Sequence, residues 1–224
     1  MLPNRQTMNQ ANCPVSPEGW NIITALRELS LIDRDEDALH ECQWSGVACT
    51  DDGILHGITC YAKDASNCSI QWLPQTIRNL DMRGVSFSIR NLDTRRLPRE
   101  CQFCAFEMGD IRGTIELRTL PNDLQILNLE ENRISGTVHL TWLPASMRRM
   151  SMARNRIKKA IVSNSLLPLE LSVVDMYQPF DLVRVVCLDS EAVDKRVRVG
   201  LHMIRFKDAL DDLDAKDEMG EGIL

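Results

Sequence analysis

The chain has 224 residues, of which 44% are hydrophobic and 26% charged, and its formal net charge is −6. That is enough apolar material for one sizeable core, so a single folded body is expected. The acidic balance disfavours bulk binding to nucleic acid, and no apolar run reaches the length a membrane-spanning helix needs.

Residues 1–16 read as an N-terminal extension. Only Arg5 is basic before Arg27, and MLPNRQTMNQANCPVSPEGW lacks the apolar core of a secretory signal, so no targeting segment is expected. Residues 17–52 form a second unit. There Trp20, Ile23, Leu26, Leu29 and Leu31 recur at near-helical intervals, which predicts amphipathic helix between Trp20 and Leu39. The unit closes on Cys42-Gln-Trp-Ser-Gly-Val-Ala-Cys49.

Residues 53–206 repeat. A Leu-Pro pair begins at Leu73, Leu97, Leu120, Leu143 and Leu167, with spacings of 24, 23, 23 and 24 residues. LPNDLQILNLEENRISGTVHLTW from Leu120 is followed in register by LPASMRRMSMARNRIKKAIVSNS from Leu143. Leu124, Leu127, Leu129, Asn132 and Ile134 match the template L-x-x-L-x-L-x-x-N-x-L without a gap. Inward pairs can be followed outward as Ile58/Cys60, Leu80/Met82, Cys104/Phe106, Leu127/Leu129, Met150/Met152, Val174/Met176 and Val197/Val199. That makes about seven units, the outer two degenerate. One unit cannot bury its apolar face alone, so neighbours must stack. Each supplies a short strand to a parallel sheet, and alternation decides which side chains face the core. A second apolar set, Ile134, Val138 and Leu140 with Ile157 and Ile161, marks the opposite side, with a turn expected at Ser135-Gly136. The template Asn occurs only as Asn132 and Asn155; Val85, Gly109 and Pro179 take its place elsewhere.

The order Leu-Pro, strand, Asn, Ile-Ser-Gly-Thr-Val resembles the plant-type subclass of leucine-rich repeats, and the Leu-Pro-x-x-Leu start is similar to repeat proteins of protists such as kinetoplastids. The C-x-W-x-G-V-x-C of Cys42 to Cys49 resembles that subclass's N-terminal cap. The resemblance spans residues 17–190 or so. It implies an α/β repeat solenoid, a right-handed arc with a parallel concave sheet, a helical N-terminal cap and a degenerate C-terminal cap. It also implies a Cys42–Cys49 disulfide, as in secreted relatives. It implies a style of binding and no particular ligand.

Of eight cysteines, Cys60, Cys101, Cys104 and Cys187 occupy repeat positions that other units fill with Leu, Met or Val, and are expected in the core. That usage favours a reduced, intracellular (cytoplasmic) chain; a secreted chain with its signal outside this sequence is the alternative. Cys101-Gln-Phe-Cys104 offers two zinc ligands where four are needed. Asn67-Cys68-Ser69 is formally a glycosylation acceptor. The four histidines, His40, His56, His139 and His202, are scattered, and no phosphate-binding loop, dinucleotide fingerprint, zincin helix or nucleophile elbow is present. No cofactor, no metal and no catalysis are expected.

Arg148, Arg149, Arg154, Arg156, Lys158 and Lys159 form a basic block. It reads as a solvated rim wrapping one unit, or as a dock for a polyanion or an acidic partner. In residues 207–224, acidic overall, Ala209, Leu210 and Leu213 make a thin apolar stripe; the segment reads as a cap over the open sheet edge or as a free tail.

The function expected is a noncatalytic protein–protein interaction module. Its concave face would present Asn79, Asp81, Arg83, Phe103, Glu107, Ile126, Asn128, Glu130, Arg149, Ser151, Val173, Asp175 and Tyr177. Phe103, Ile126, Val173 and Tyr177 would be its anchors. One alternative is a structural subunit of a large assembly, such as a ribonucleoprotein, docking through residues 148–159; nucleic acid is not the favoured partner. The other is a recognition fragment of a secreted or surface receptor.

Overall fold

Each Leu-Pro pair ends one local turn and starts another. Thr94–Arg96, Leu117–Thr119 and Asn164–Leu166 are single 3-10 turns, closed by Leu97, Leu120 and Leu167 with ψ between 135° and 151°. The proline that follows each leucine disfavours helical backbone at that leucine, so the turn stops there. A tight turn then begins on the proline. The N–H groups of Ile77, Cys101, Leu124, Met147 and Leu171 donate to the carbonyls of Pro74, Pro98, Pro121, Pro144 and Pro168 at 3.0–3.2 Å. The same device in five successive units sets where each following strand starts.

The structure, a computed structural model, describes residues 41–61, 70, 73–85, 91–180, 182–190 and 192–200. The helix expected between Trp20 and Leu39, Cys13, the triplet Asn67-Cys68-Ser69, His202 and the acidic segment 207–224 lie outside the described residues. Twelve strands are described: β1 (Val47–Cys49), β2 (Leu55–Tyr61), β3 (Asn79–Arg83), β4 (Phe103–Ala105), β5 (Arg112–Gly113), β6 (Ile126–Asn128), β7 (Arg133–His139), β8 (Arg149–Ser151), β9 (Arg156–Val162), β10 (Val173–Asp175), β11 (Arg184–Cys187) and β12 (Val197–Arg198). They make two sheets. The long one runs β1-β2-β3-β4-β6-β8-β10-β12 and the short one β11-β9-β7-β5. Among the described strands only the β1–β2 pairing is antiparallel.

The inward residues stand opposite one another along the long sheet. Ile58 pairs with Leu80, Leu80 with Cys104, Cys104 with Leu127, Leu127 with Met150, Met150 with Val174 and Val174 with Val197. All but Val197 are at most 1% exposed. Ile134, Val138, Leu140 and Ile157 come from the other side of the coil into the same core cluster, where Ala160 takes the place expected of Ile161, which is only partly buried. Each fully buried large aliphatic contributes about 1.5–3 kcal/mol. A stack of similar rungs therefore holds together although no single rung could.

Four expectations are corrected. Ser135-Gly136 is not a turn but lies inside β7. Gly136, at φ +83, lies opposite a bulge in β9: Gly136 pairs with Ile157 and Thr137 with Lys159, so Lys158 is the extra residue. Secondly, no α-helix occurs among the described residues; the second side of the coil is built from strands, because its Ile-, Val- and Thr-rich runs suit a pleated, half-buried surface. Thirdly, Cys187 is only partly buried, since β11 is the edge of the short sheet and has a neighbour on one flank alone. Fourthly, Cys42 and Cys49 are joined in a disulfide, so the reduced reading does not hold for this pair.

The other thiols follow burial. Cys60, Cys101 and Cys104 are at most 1% exposed, and burial pushes the Cys104 thiol well above its usual range. Among the described free cysteines, native alkylation is therefore expected to modify Cys187 first and to leave these three unmodified until the chain is denatured. Mass-spectrometric mapping after a short alkylation checks this; prompt native labelling of Cys104 would show that its unit is not packed.

Candidate interaction surfaces

On the outward side of the long sheet the first strand positions form a ladder. Asn79 pairs with Phe103, Phe103 with Ile126, Ile126 with Arg149, and Arg149 with Val173. Phe103, Ile126 and Val173 point away from the inward row, yet they retain only 3–4% exposure. They are not the accessible anchors expected of them. Adjacent rungs stand about 4.8 Å apart, so large side chains in one column pack flank to flank.

The middle positions are also occupied, by the backbone. Asn128 Oδ1 accepts the N–H of Glu130 at 3.0 Å, Asp175 Oδ1 that of Tyr177 at 2.9 Å, and Ser151 Oγ that of Ala153 at 3.4 Å. Short polar side chains that bond the main chain two residues on hold the bend where each strand ends. Asn128, Ser151 and Asp175 are each at most 4% exposed, and these bonds shape the surface. Asp81 accepts from Arg83 at 2.8 Å and from the Tyr61 hydroxyl at 3.3 Å, while the Arg83 guanidinium lies 6.0 Å from the Tyr61 ring centre. On this face Asn79, Arg83, Glu107, Glu130, Arg149 and Tyr177 stay exposed or partly exposed.

Four carboxyls on this face, Asp81, Glu107, Glu130 and Asp175, are held above their usual range, in each case chiefly by burial. A raised carboxyl favours the folded state in its protonated form. Its stabilising contribution is present below the unfolded-state pKa and is lost as pH rises through the higher folded-state pKa. Asp175→Asn keeps the acceptor for Tyr177 N–H and removes the buried charge. It is expected to raise Tm at pH 7, with the gain shrinking as pH falls into the carboxylate range. Thermal melts across that range check the sign; a lower Tm at neutral pH would mean that the charge itself stabilises the fold.

At the strand exits the template asparagines bind neighbouring units together. Asn132 Nδ2 donates to the carbonyls of Phe106, Leu129 and Glu130 at 2.7–3.2 Å, and its Oδ1 accepts the N–H groups of Gly109 and Ile111 at 3.0 and 2.9 Å. Asn155 repeats the pattern on Leu129, Met152 and Ala153, and accepts the N–H of Ile134 at 2.9 Å. In the following unit the position assigned to Pro179 is served by its neighbour. Gln178 Nε2 reaches the carbonyls of Met152 and Met176 at 3.4 and 3.3 Å. A Gln one residue early, with one more methylene, was the available signal.

The basic block divides between faces. Arg149 lies in the outward ladder, Arg154 pairs with Glu131 and approaches Glu130 at 3.9 Å, and Arg156, Lys158 and Lys159 lie on β9 of the short sheet. Beside the Asn ladder, an open groove of about 940 Å³ runs across successive units from Met108 to Phe180.

No protein-family profile matches the sequence, and no curated protein is similar to it. The structure is similar to the leucine-rich-repeat ectodomain of the receptor kinase SOBIR1 from Arabidopsis thaliana, with a TM-score of 0.53 at 16% identity over 74% of this chain and 96% of that one. The BIR2 ectodomain from Arabidopsis thaliana gives 0.46 at 18% identity over 67% and 85%. The first of these likenesses establishes the class: a leucine-rich-repeat fold, built as a parallel-strand solenoid. No helix among the described residues is long and apolar enough to cross a membrane.

Proposed function

We propose that this chain is a noncatalytic protein-interaction module that holds a partner against the outward side of its long sheet, the side that is concave in leucine-rich-repeat arcs. One observation carries the reading. The inward rows are apolar in every unit, whereas the exit positions of successive strands read Arg83, Glu107, Glu130, Ala153 and Tyr177. A packing role would keep one chemistry; a surface that selects a partner varies it. Glu107, Glu130 and Tyr177 take the place of Phe103, Ile126 and Val173 as the contacts of greatest weight, because only accessible groups can be desolvated by a partner.

Affinity purification with the full chain as bait, followed by mass spectrometry, identifies the partner. Changing Glu107, Glu130 and Tyr177 together to Ala is expected to weaken its capture at least about tenfold, with Tm at pH 7 not lowered, because the three side chains lie outside the core and two are carboxyls that burial holds above their usual range. Undiminished capture by that variant overturns the assignment of this face.

The receptor-fragment reading is favoured by the Cys42–Cys49 disulfide, since such bonds persist in oxidising compartments. We place the protein outside the reducing cytosol on this ground, against the intracellular expectation raised by the repeat cysteines. Non-reducing peptide mapping of the chain from its native source decides it: a free thiol at both positions returns the chain to the cytosol.

A further inference from the structure

The short sheet is more basic than anything else described. Its four strands carry Arg112, Arg133, Arg156, Lys158, Lys159 and Arg184 and no Asp or Glu, in a chain whose net charge is −6. Two of these cations are engaged locally: Arg112 and Arg133 hold Asp110 at 2.7 and 2.8 Å. Arg156 and Lys158 are exposed and make no salt bridge among the described residues; Arg156 acts on Asp110 only at longer range. Both line the groove beside the Asn ladder.

A second observation comes from the floor of that groove. Gln178 is 5% exposed and lines it. Its amide nitrogen is engaged with two carbonyls, but its Oε1 has no hydrogen-bond partner. A buried acceptor without a donor is unfavourable, so a ligand whose N–H reaches it, with a turn of the Gln178 amide toward the groove, gains from meeting it. At the same end Phe180 is 95% exposed, an apolar platform beside the polar floor.

We propose that this groove is a second binding site, distinct from the outward face of the long sheet, and that it takes an extended acidic peptide segment of a partner protein. Arg156 and Lys158 flank the buried Ile157 and are both exposed at the groove, Lys158 being the extra residue of a bulge in β9. Alternate carboxylates of an extended peptide leave one face about 6.6–6.8 Å apart, so each can meet one of these two long, flexible cations. The peptide backbone supplies the N–H for Gln178 Oε1, and an apolar side chain covers Phe180. A phosphodiester chain fits less well. Its charge is carried at every residue, which sets phosphates against Asp110 and Glu131 in the groove wall, and its phosphates bring no proton to Gln178.

The test is fluorescence anisotropy with the full chain and a labelled synthetic peptide, Phe-Ala-Glu-Ala-Glu-Ala, against its Gln counterpart and a short single-stranded DNA. Saturable binding of the Glu peptide, weakened at least about tenfold by Arg156→Glu with Lys158→Glu and severalfold by Phe180→Ser, is the expected result. The neutral pair Arg156→Gln with Lys158→Gln should weaken it in the same direction, which covers any misfolding of the charge reversal. The Glu107, Glu130 and Tyr177 alanine variant should bind the peptide normally, so failure of one surface is separable from failure of the other. The proposal is overturned if the Glu peptide shows no saturable binding, if both Arg156/Lys158 variants bind it like the unmodified chain, or if the DNA binds more tightly with the same residue dependence.

Discussion

Leu127→Ala is expected to lower folding stability by about 2–5 kcal/mol. Leu127 is 0% exposed, and its strand β6 lies between β4 and β8, with Cys104 and Met150 as the paired residues on either side. Truncation leaves a cavity whose walls belong to three consecutive rungs, and a parallel sheet fixed on both flanks cannot close over it. In a stacked fold each unit is stabilised mainly by its neighbours, so loss at a central rung weakens two interfaces at once. Urea denaturation followed by circular dichroism measures the change. A loss below about 0.5 kcal/mol, the range usual for surface substitutions, would mean that the inward row is not a packed core.

Asn132→Ala should be of comparable size for a different reason. The side chain makes five hydrogen bonds, three given to carbonyls and two accepted from N–H groups, and joins residues 106–111 to its own unit. Alanine takes this partner from the Gly109 and Ile111 N–H groups and the Phe106 carbonyl, where Asn132 itself is 6% exposed; the carbonyls of Leu129 and Glu130 keep Asn155 Nδ2 and the Met108 N–H. Each buried group so orphaned costs about 1–3 kcal/mol, with local relaxation recovering part, so a total loss of about 3 kcal/mol is expected. Amide hydrogen exchange supplies a second readout. Gly109 and Ile111 should lose protection far more than Leu127, because their donors, not the sheet, have been released. A loss under about 1 kcal/mol with protection unchanged at Gly109 and Ile111 would remove the ladder from the account of stability.

What the sequence alone determined is the rung. A Leu-Pro pair every 23 or 24 residues and apolar residues at fixed offsets from it allow only one register in which all inward side chains share a face. The cross-strand partners from Ile58 to Val197 follow from that register. Asn132 and Asn155 were legible for the same reason, since their role is set by their position within a unit. What lies between rungs was decided by tertiary structure. Whether Phe103 or Ile126 is open to a partner depends on the residue a full period away, which no local pattern records. Asp175 and Asn128 read as ligand contacts until the chain bends and their oxygens meet N–H groups two residues on. The short sheet was not legible as a sheet because its strands pair across the period and a bulge at Lys158 in β9 interrupts the alternation there. Gln178 replaces an asparagine from one position earlier, and Arg156 and Lys158 reach a groove whose other wall comes from three different units. Contacts within a unit are written in its repeat, whereas exposure, pairing and charge on a surface belong to residues brought together only when the units stack.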